Sequence, residues 1–336
     1  MKDITQNTIN MIKKNIFFLL CALAFCACNK KTEVAIEPEY SDTICVRLAT
    51  LDEAKRLVEA EDSYTRSRTP FDIMSRLQNP NGTVEELTAM MVDGVREWSS
   101  DDAAVIDSIV VSLNDTIRKY KFKLPLPKEI VLVKSTMEDE GGAVGYTRSN
   151  WIALSEKFVT DMDNAYRRRL FLHELFHILT RNSIDFKRTM YSAIGFMVVD
   201  EELEYPADLK DRRISNPDVD RYDSYATFTV GGVQQKCAML IYAKRPYDTG
   251  SFFDYLEIGF IPYDDNMKPV QKDGATVVYS INDIDDLFDK VGRNTPYMIN
   301  PEEILADNFV IAFNNSSFAV HTPELRDSIR ALMIGQ

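Results

Sequence analysis

Two of the chain's three histidines lie four residues apart, in His173-Glu174-Leu175-Phe176-His177. On a helix, positions i and i+4 share a face, so both imidazoles point at one spot with Glu174 beside them. Two such imidazoles suit one metal ion. A neighbouring carboxylate that is not itself a ligand is placed to accept a proton from water activated by that ion. Without a metal, a buried histidine pair needs other hydrogen-bond partners. The flanks run Arg167-Arg168-Arg169-Leu170-Phe171-Leu172 upstream and Ile178-Leu179-Thr180 downstream. Their apolar residues recur at helical spacing and place the pair on a largely buried helix.

A catalytic zinc takes three protein ligands and leaves one position open. No third histidine follows His177 at short spacing, and the remaining one is His321. The best source of a third ligand is Asn300-Pro301-Glu302-Glu303-Ile304-Leu305-Ala306-Asp307-Asn308-Phe309. Pro301 suits a first helical turn, where its missing N–H costs nothing. Ile304, Leu305, Phe309, Ile311 and Ala312 then mark a mostly buried helix. Glu303 and Asp307 share one of its faces. Glu302 is the alternative if the register slips by one. Glu201, Glu202 and Glu204 lie closer to His177, and Asp208 sits four residues beyond Glu204. Pro206 falls between those two and disfavours helix at the residue before it, so they do not share a helical face. An ordinary amphipathic helix with acidic residues at its start is the plainer reading of Pro301–Phe309.

His173–His177 has the His-Glu-x-x-His pattern of zinc-dependent peptidases. Together the two stretches resemble the gluzincin side of the zincin peptidases. Pro301–Phe309 is similar to the Pro-x-Glu-x-x-Ala-(Asp/Glu)-x-Phe helix of lethal-factor-like zinc peptidases. The resemblance implies a zinc cofactor held by His173, His177 and Glu303, with Glu174 as general base for peptide-bond hydrolysis. It implies that Asp307 takes the free ring N–H of His173 and fixes its tautomer. Tyr297, six residues before Glu303, is placed like the tyrosine of lethal-factor-like enzymes that supports the oxyanion; His321 is the other candidate. A half-buried tyrosine at a turn and a surface histidine are the plainer readings. In zincins the strand ahead of the metal helix pairs with extended substrate, and the resemblance gives that edge role to Trp151–Ser155; an ordinary sheet strand is the alternative. More than a hundred residues separate the two stretches, which implies an inserted subdomain.

The front of the chain has a short basic region, Met11-Ile12-Lys13-Lys14-Asn15, and an apolar run from Ile16 to Ala27. The run is too short for an ordinary transmembrane helix and suits a secretory signal. It closes in Phe25-Cys26-Ala27-Cys28, which resembles a bacterial lipoprotein box. By that resemblance residues 1–27 are a signal peptide, Cys28 carries the lipid and residues 28–40 form a polar tether. The protein then sits in the bacterial cell envelope, anchored to a membrane. A plain secretory signal, or cleavage before Cys26, are the alternatives. Cys45 and Cys237 remain, and a disulfide between them is open in an oxidising envelope. The formal net charge is −13, and loss of the leader makes the balance more acidic. No basic stripe is left to meet phosphates, so nucleic-acid binding is not expected.

The elements that must position these residues are mixed. Leu51–Ser63, Pro70–Leu77, Thr83–Trp98 and Asp101–Tyr120 have helical apolar spacing. Asn81-Gly82-Thr83 followed by Glu85 and Glu86 reads as a turn and N-cap. Glu129–Val133 reads as a buried strand, and Gly141–Tyr146 as a loop or turn feeding the strand at Trp151. Phe186–Gly195 extends the helical region, and Asp211–Asp223 is a loop. Tyr225–Val230, Gln234–Tyr242, Phe252–Ile261 and Ala275–Tyr279 read as short strands, whose aromatic residues are core more readily than cleft lining. The expectation is an α+β, zincin-like domain over 41–336. It has a helical N-terminal part (41–125), a mixed sheet with an edge strand before the metal helix, and a β-rich insertion (196–295). Two function classes follow. One is an envelope-anchored zinc peptidase acting on a peptide or protein substrate. The other is a non-catalytic zincin-like lipoprotein that binds peptide or glycan; Glu174 favours the first, because a structural zinc needs no base.

Overall fold

Two apolar runs, Ile130–Ser135 and Trp151–Ser155, form the middle of the first sheet in the computed structural model, which describes residues 40–317 and 320–335. The leader, the Cys28 anchor and nearly all of the tether lie outside the described residues. The strands are β1 (Val46–Leu48), β2 (Val95–Arg96), β3 (Ile130–Ser135), β4 (Gly145–Arg148) and β5 (Trp151–Ser155). Their order is β1-β3-β5-β4, with β2 paired to the end of β3. β1, β3 and β5 are parallel, whereas β2 and β4 run antiparallel to their neighbours. The fold is α+β with a mixed sheet.

Alternation along β3 and β5 divides their side chains between two cores. Ile130, Leu132, Ile152 and Leu154 pack with Leu113, Leu172, Leu175 and Phe176. Val131, Val133, Trp151 and Ala153 pack with Ala54, Val58 and Met91 on the other face. The sheet therefore lies between the helices Ser100–Tyr120 and Asn164–Asn182 on one side and Leu51–Glu59 and Val84–Gly94 on the other. Side-chain caps start many of these helices. Thr83 and Glu86 form a reciprocal capping box, as do Ser99 and Asp102. The stretch expected as one helix to Ser63 ends at Glu59, and Asp62 caps a separate turn, Ser63–Ser67. The helical N-terminal part also contributes two strands, β1 and β2, the latter where the Thr83–Trp98 stretch expected as helix ends at Gly94.

The edge strand needs correction. Trp151–Ser155 is interior, flanked by β3 and β4, and all five of its residues are buried. The edge is β4, within and beyond the stretch read as a loop feeding that strand. An unbroken apolar run is the mark of a strand covered on both faces, which an edge facing a cleft is not.

The helix Asn164–Asn182 carries the His-Glu-x-x-His motif and is buried from Leu170 to Thr180 except at half-buried His173. Asp163 caps its start by accepting the Tyr166 N–H. Ser183 ends it and caps the next helix, Ile184–Ser192. The helix that carries Glu303, Pro301–Phe313, begins at Asn300, whose side chain accepts the Glu302 N–H (2.9 Å), with Pro301 in the first turn. The two helices pack together, Phe176 against Phe309 with ring centroids 5.4 Å apart.

Between them lies an antiparallel sheet of β6 (Phe196–Val198), β7 (Ser224–Val230), β8 (Val233–Ala243) and β9 (Leu256–Tyr263), in chain order. Phe252–Asp254, expected as strand, is a 3-10 turn capped by Ser251. Tyr247, Phe252 and Tyr255 pack around Phe71 as core. Phe253 is exposed. Cys45 and Cys237 are both free, one exposed and one buried. Among the described residues no helix is long and apolar enough to cross a membrane.

Candidate metal centre

The motif helix and the Pro301–Phe313 helix bring His173, His177 and Glu303 together, with one ligand atom from each within 4.8 Å of the others. Glu303 Oε2 lies 3.0 Å from His173 Nε2 and 3.7 Å from His177 Nε2. Ligands about 2.1 Å from a tetrahedral ion stand about 3.4 Å apart, so these separations bracket what one ion requires. The decisive atom is His177 Nε2. It is buried and has no hydrogen-bond partner. An orphaned ring nitrogen in a residue with no exposed surface is costly unless something absent from the protein chain binds it.

Each histidine is held by a carboxylate on its other nitrogen. His173 Nδ1 is 3.3 Å from Asp307 Oδ1, and His177 Nδ1 is 3.1 Å from Glu302 Oε1. Such bonds fix the tautomer and leave Nε2 with its lone pair toward the shared point. Asp307 also accepts hydrogen bonds from Thr295 Oγ1 (2.5 Å) and Arg169 (3.1 Å). Glu302 accepts from Thr180 Oγ1 (2.5 Å) and from the Tyr191 hydroxyl (2.6 Å). Burial alone would raise both carboxyls, but the histidine and hydroxyl hydrogen bonds outweigh it and hold them below the usual range. Burial likewise opposes charge on His173, yet the bonds to Asp307 and Glu303 raise its pKa well above the ordinary value, so a metal at Nε2 would take the place of that proton.

Glu174 points to the same place from the turn between the histidines. Its Oε2 accepts a hydrogen bond from Thr147 Oγ1 (2.9 Å) on β4. Gly145, also on β4, approaches so closely that an added Cβ would lie 2.9 Å from Glu174 Oε1. Burial raises the pKa of Glu174, with the histidines working in the opposite direction. A carboxylate with a raised pKa and a fixed orientation is suited to proton transfer near neutral pH.

Sequence reasoning missed the turn that covers this point. Asn216 Nδ2 donates to Glu303 Oε1 (2.6 Å), holding the carboxylate's second oxygen. Asp218 Oδ1 accepts the Thr147 N–H (2.6 Å), and a ligand atom of Asp218 lies within 4.8 Å of those of Glu174 and His177. Burial, then the Glu174 charge, push the Asp218 carboxyl up. The sequence places Asn216-Pro217-Asp218 within the Asp211–Asp223 loop. Nothing in its spacing ties it to residue 177 or 303.

The remaining candidates separate clearly. The Tyr297 ring lies 6.4 Å from that of His173 and lines a cavity of about 110 Å3 with Gly145, Asn216 and Asp218. Tyr297 is 43% exposed overall; loss of water around its hydroxyl, then the Glu303 charge, raise its pKa, so the phenol stays protonated. His321 is exposed, and among the described residues it makes no hydrogen bond, ion pair or ring contact with the cluster. The rival carboxylates are engaged elsewhere. Glu202 accepts the Tyr222 N–H, Glu204 pairs with Lys268, and Asp208 bonds Thr276. The chain matches no family model, no curated protein and no solved structure.

Proposed function

We propose that this chain is a zinc-dependent peptidase of gluzincin type. The observation that carries the reading is the buried, unpartnered His177 Nε2, facing Glu303 and His173, with Glu174 fixed alongside. Two imidazole nitrogens and one carboxylate form the donor set of a catalytic zinc with an open position. Zinc bound there supplies Lewis acidity to a peptide carbonyl and to the attacking water. Glu174 accepts the water's proton and delivers it to the leaving amine. Thr147 and the absent side chain of Gly145 aim Glu174 at that task. Tyr297, kept neutral, donates to the carbonyl oxygen as charge develops on it. Asp307 and Glu302 hold the two imidazoles in the ligating tautomer.

The substrate is an extended peptide or protein segment that lies along β4, whose outer edge no other strand among the described residues covers. The envelope location and the lipid at Cys28 belong to the same reading and rest on the leader sequence. The zincin-like binding module is the second reading, and it leaves the placement of Thr147 and Gly145 around Glu174 without a purpose. Metal analysis of the purified protein, then a peptide-library digest with and without chelator, tests the proposal. Stoichiometric zinc and chelator-sensitive cleavage are expected. Zinc without cleavage of any peptide would move the reading to the binding module.

A further inference from the structure

The Ser215–Asp218 turn is fastened to its surroundings at several points. Ser215 O accepts from Arg76 (2.7 Å), and the Ser215 N–H and hydroxyl donate to Asp72 (3.0 and 2.7 Å). Pro217 O accepts from Arg181 of the motif helix (2.5 Å). Asn216 reaches Glu303, and its Oδ1 also accepts the Asp218 N–H (2.9 Å). These contacts deliver Asp218 onto β4, where it takes the Thr147 N–H that faces away from β5. A peptide pairing with this edge would use the same N–H.

Asp218 also borders two cavities. It lines the 110 Å3 cavity beside Tyr297 and a second cavity of about 420 Å3 beside Glu302 and Arg181. A carboxylate oxygen of Asp218 lies within 4.8 Å of ligand atoms of Glu174 and His177, a grouping that overlaps the His173, His177 and Glu303 cluster at His177. Carboxylates clustered in a low-dielectric site repel unless a cation lies among them. Glu174, Glu302, Glu303 and Asp218 surround two histidines, and His177 Nε2 has no partner of its own.

We propose that Asp218 is a displaceable blocking group, whose carboxylate screens the metal site beside His177 and Glu174 at rest and leaves it when the Asn216–Asp218 turn gives way to substrate on β4. The inference rests on the metal reading above. The turn is then a built-in plug that competes with the peptide for both of its anchors, the Thr147 N–H and the open coordination position. Asn216 and Asp218 leave together, because the Asp218 N–H is bonded to the Asn216 side chain.

The test uses the mature protein, stripped and reloaded with cobalt(II), and azide as a small competing ligand followed by the visible cobalt bands. Asp218→Ala removes the carboxylate. Asp218→Asn keeps an acceptor for Thr147 and guards against a folding defect. Both variants are expected to bind azide at least tenfold more tightly than the native protein, and to release cobalt to a chelator about 10–100-fold faster. Equal azide binding in all three proteins would overturn the inference and leave the metal site standing. Opening by the Ala variant with native behaviour of the Asn variant would also overturn it, because Asp218 would then be only a strand cap. Failure of the native protein to hold stoichiometric cobalt would sink the metal reading itself.

Discussion

Glu302 and Glu303 address the same histidine from two sides. Glu302 Oε1 is 3.1 Å from His177 Nδ1, and Glu303 Oε2 is 3.7 Å from His177 Nε2. Adjacent residues on a helix point about 100° apart, and here the imidazole lies across that gap. One carboxylate is placed to orient the ring, and the other could hold a metal ion together with it.

The two glutamates therefore differ in what their loss costs. Glu303→Ala is expected to abolish tight zinc binding. Glu302→Gln is expected to weaken it about 10–100-fold, because the ring stays in place without its carboxylate. Competition with a chromogenic chelator measures both. A larger loss in the Glu302 variant would reverse the assignment.

Glu174→Gln keeps size and shape and removes the base. Zinc content and folding are expected to stay, while kcat on any substrate of the native protein falls by about two to four powers of ten. Cleavage at the native rate by the zinc-loaded Gln variant would show that the base lies elsewhere.

Gly145→Ala tests the close approach of β4 to the base. The added methyl would sit 2.9 Å from Glu174 Oε1, and the carboxylate must give way. Zinc binding is expected to hold and kcat to drop roughly ten- to a hundredfold. Undiminished kcat would mean that Glu174 has room to spare.

Asp139 supplies a pH signature. It is buried, and burial, then the neighbouring Glu140 charge, push its carboxyl up to about 6 from 3.8. The native state therefore holds this proton more tightly than the unfolded chain does. The stabilisation is full below the unfolded value and is lost as pH rises through about 6. Two pKa units correspond to about 3 kcal/mol, which Asp139→Asn is expected to recover near neutral pH and not below about pH 4. Urea unfolding of the metal-stripped proteins at both pH values decides. An equal difference between native and variant at the two would refute the linkage.

The sequence carried the helical half of the site well. His173 with His177, and Glu303 with Asp307, each lie four apart on a helix, so local periodicity alone put each pair on one face. The motif helix, Pro70–Leu77 and the strands at β7 and β8 were legible for the same reason. β4 was not, because Gly-Tyr-Thr-Arg lacks apolar alternation and its partner β5 carries the stronger signal. Thr147, Asn216 and Asp218 reach the site only through chain topology, which no local period encodes. Glu302 reads in the sequence as a rival ligand; its partners His177, Thr180 and Tyr191 lie on two other helices.

The long excursion between the ligand helices has a consequence for biosynthesis. A chain emerging from the ribosome presents His173 and His177 well before residue 303, with the whole second sheet still to be made. Any product truncated inside β6 to β9 carries two histidines and neither of the glutamates that face them. Completion of the centre therefore reports that translation has passed the insertion and that its ends have been brought together. On the proposed reading, metal uptake is a check on finished synthesis.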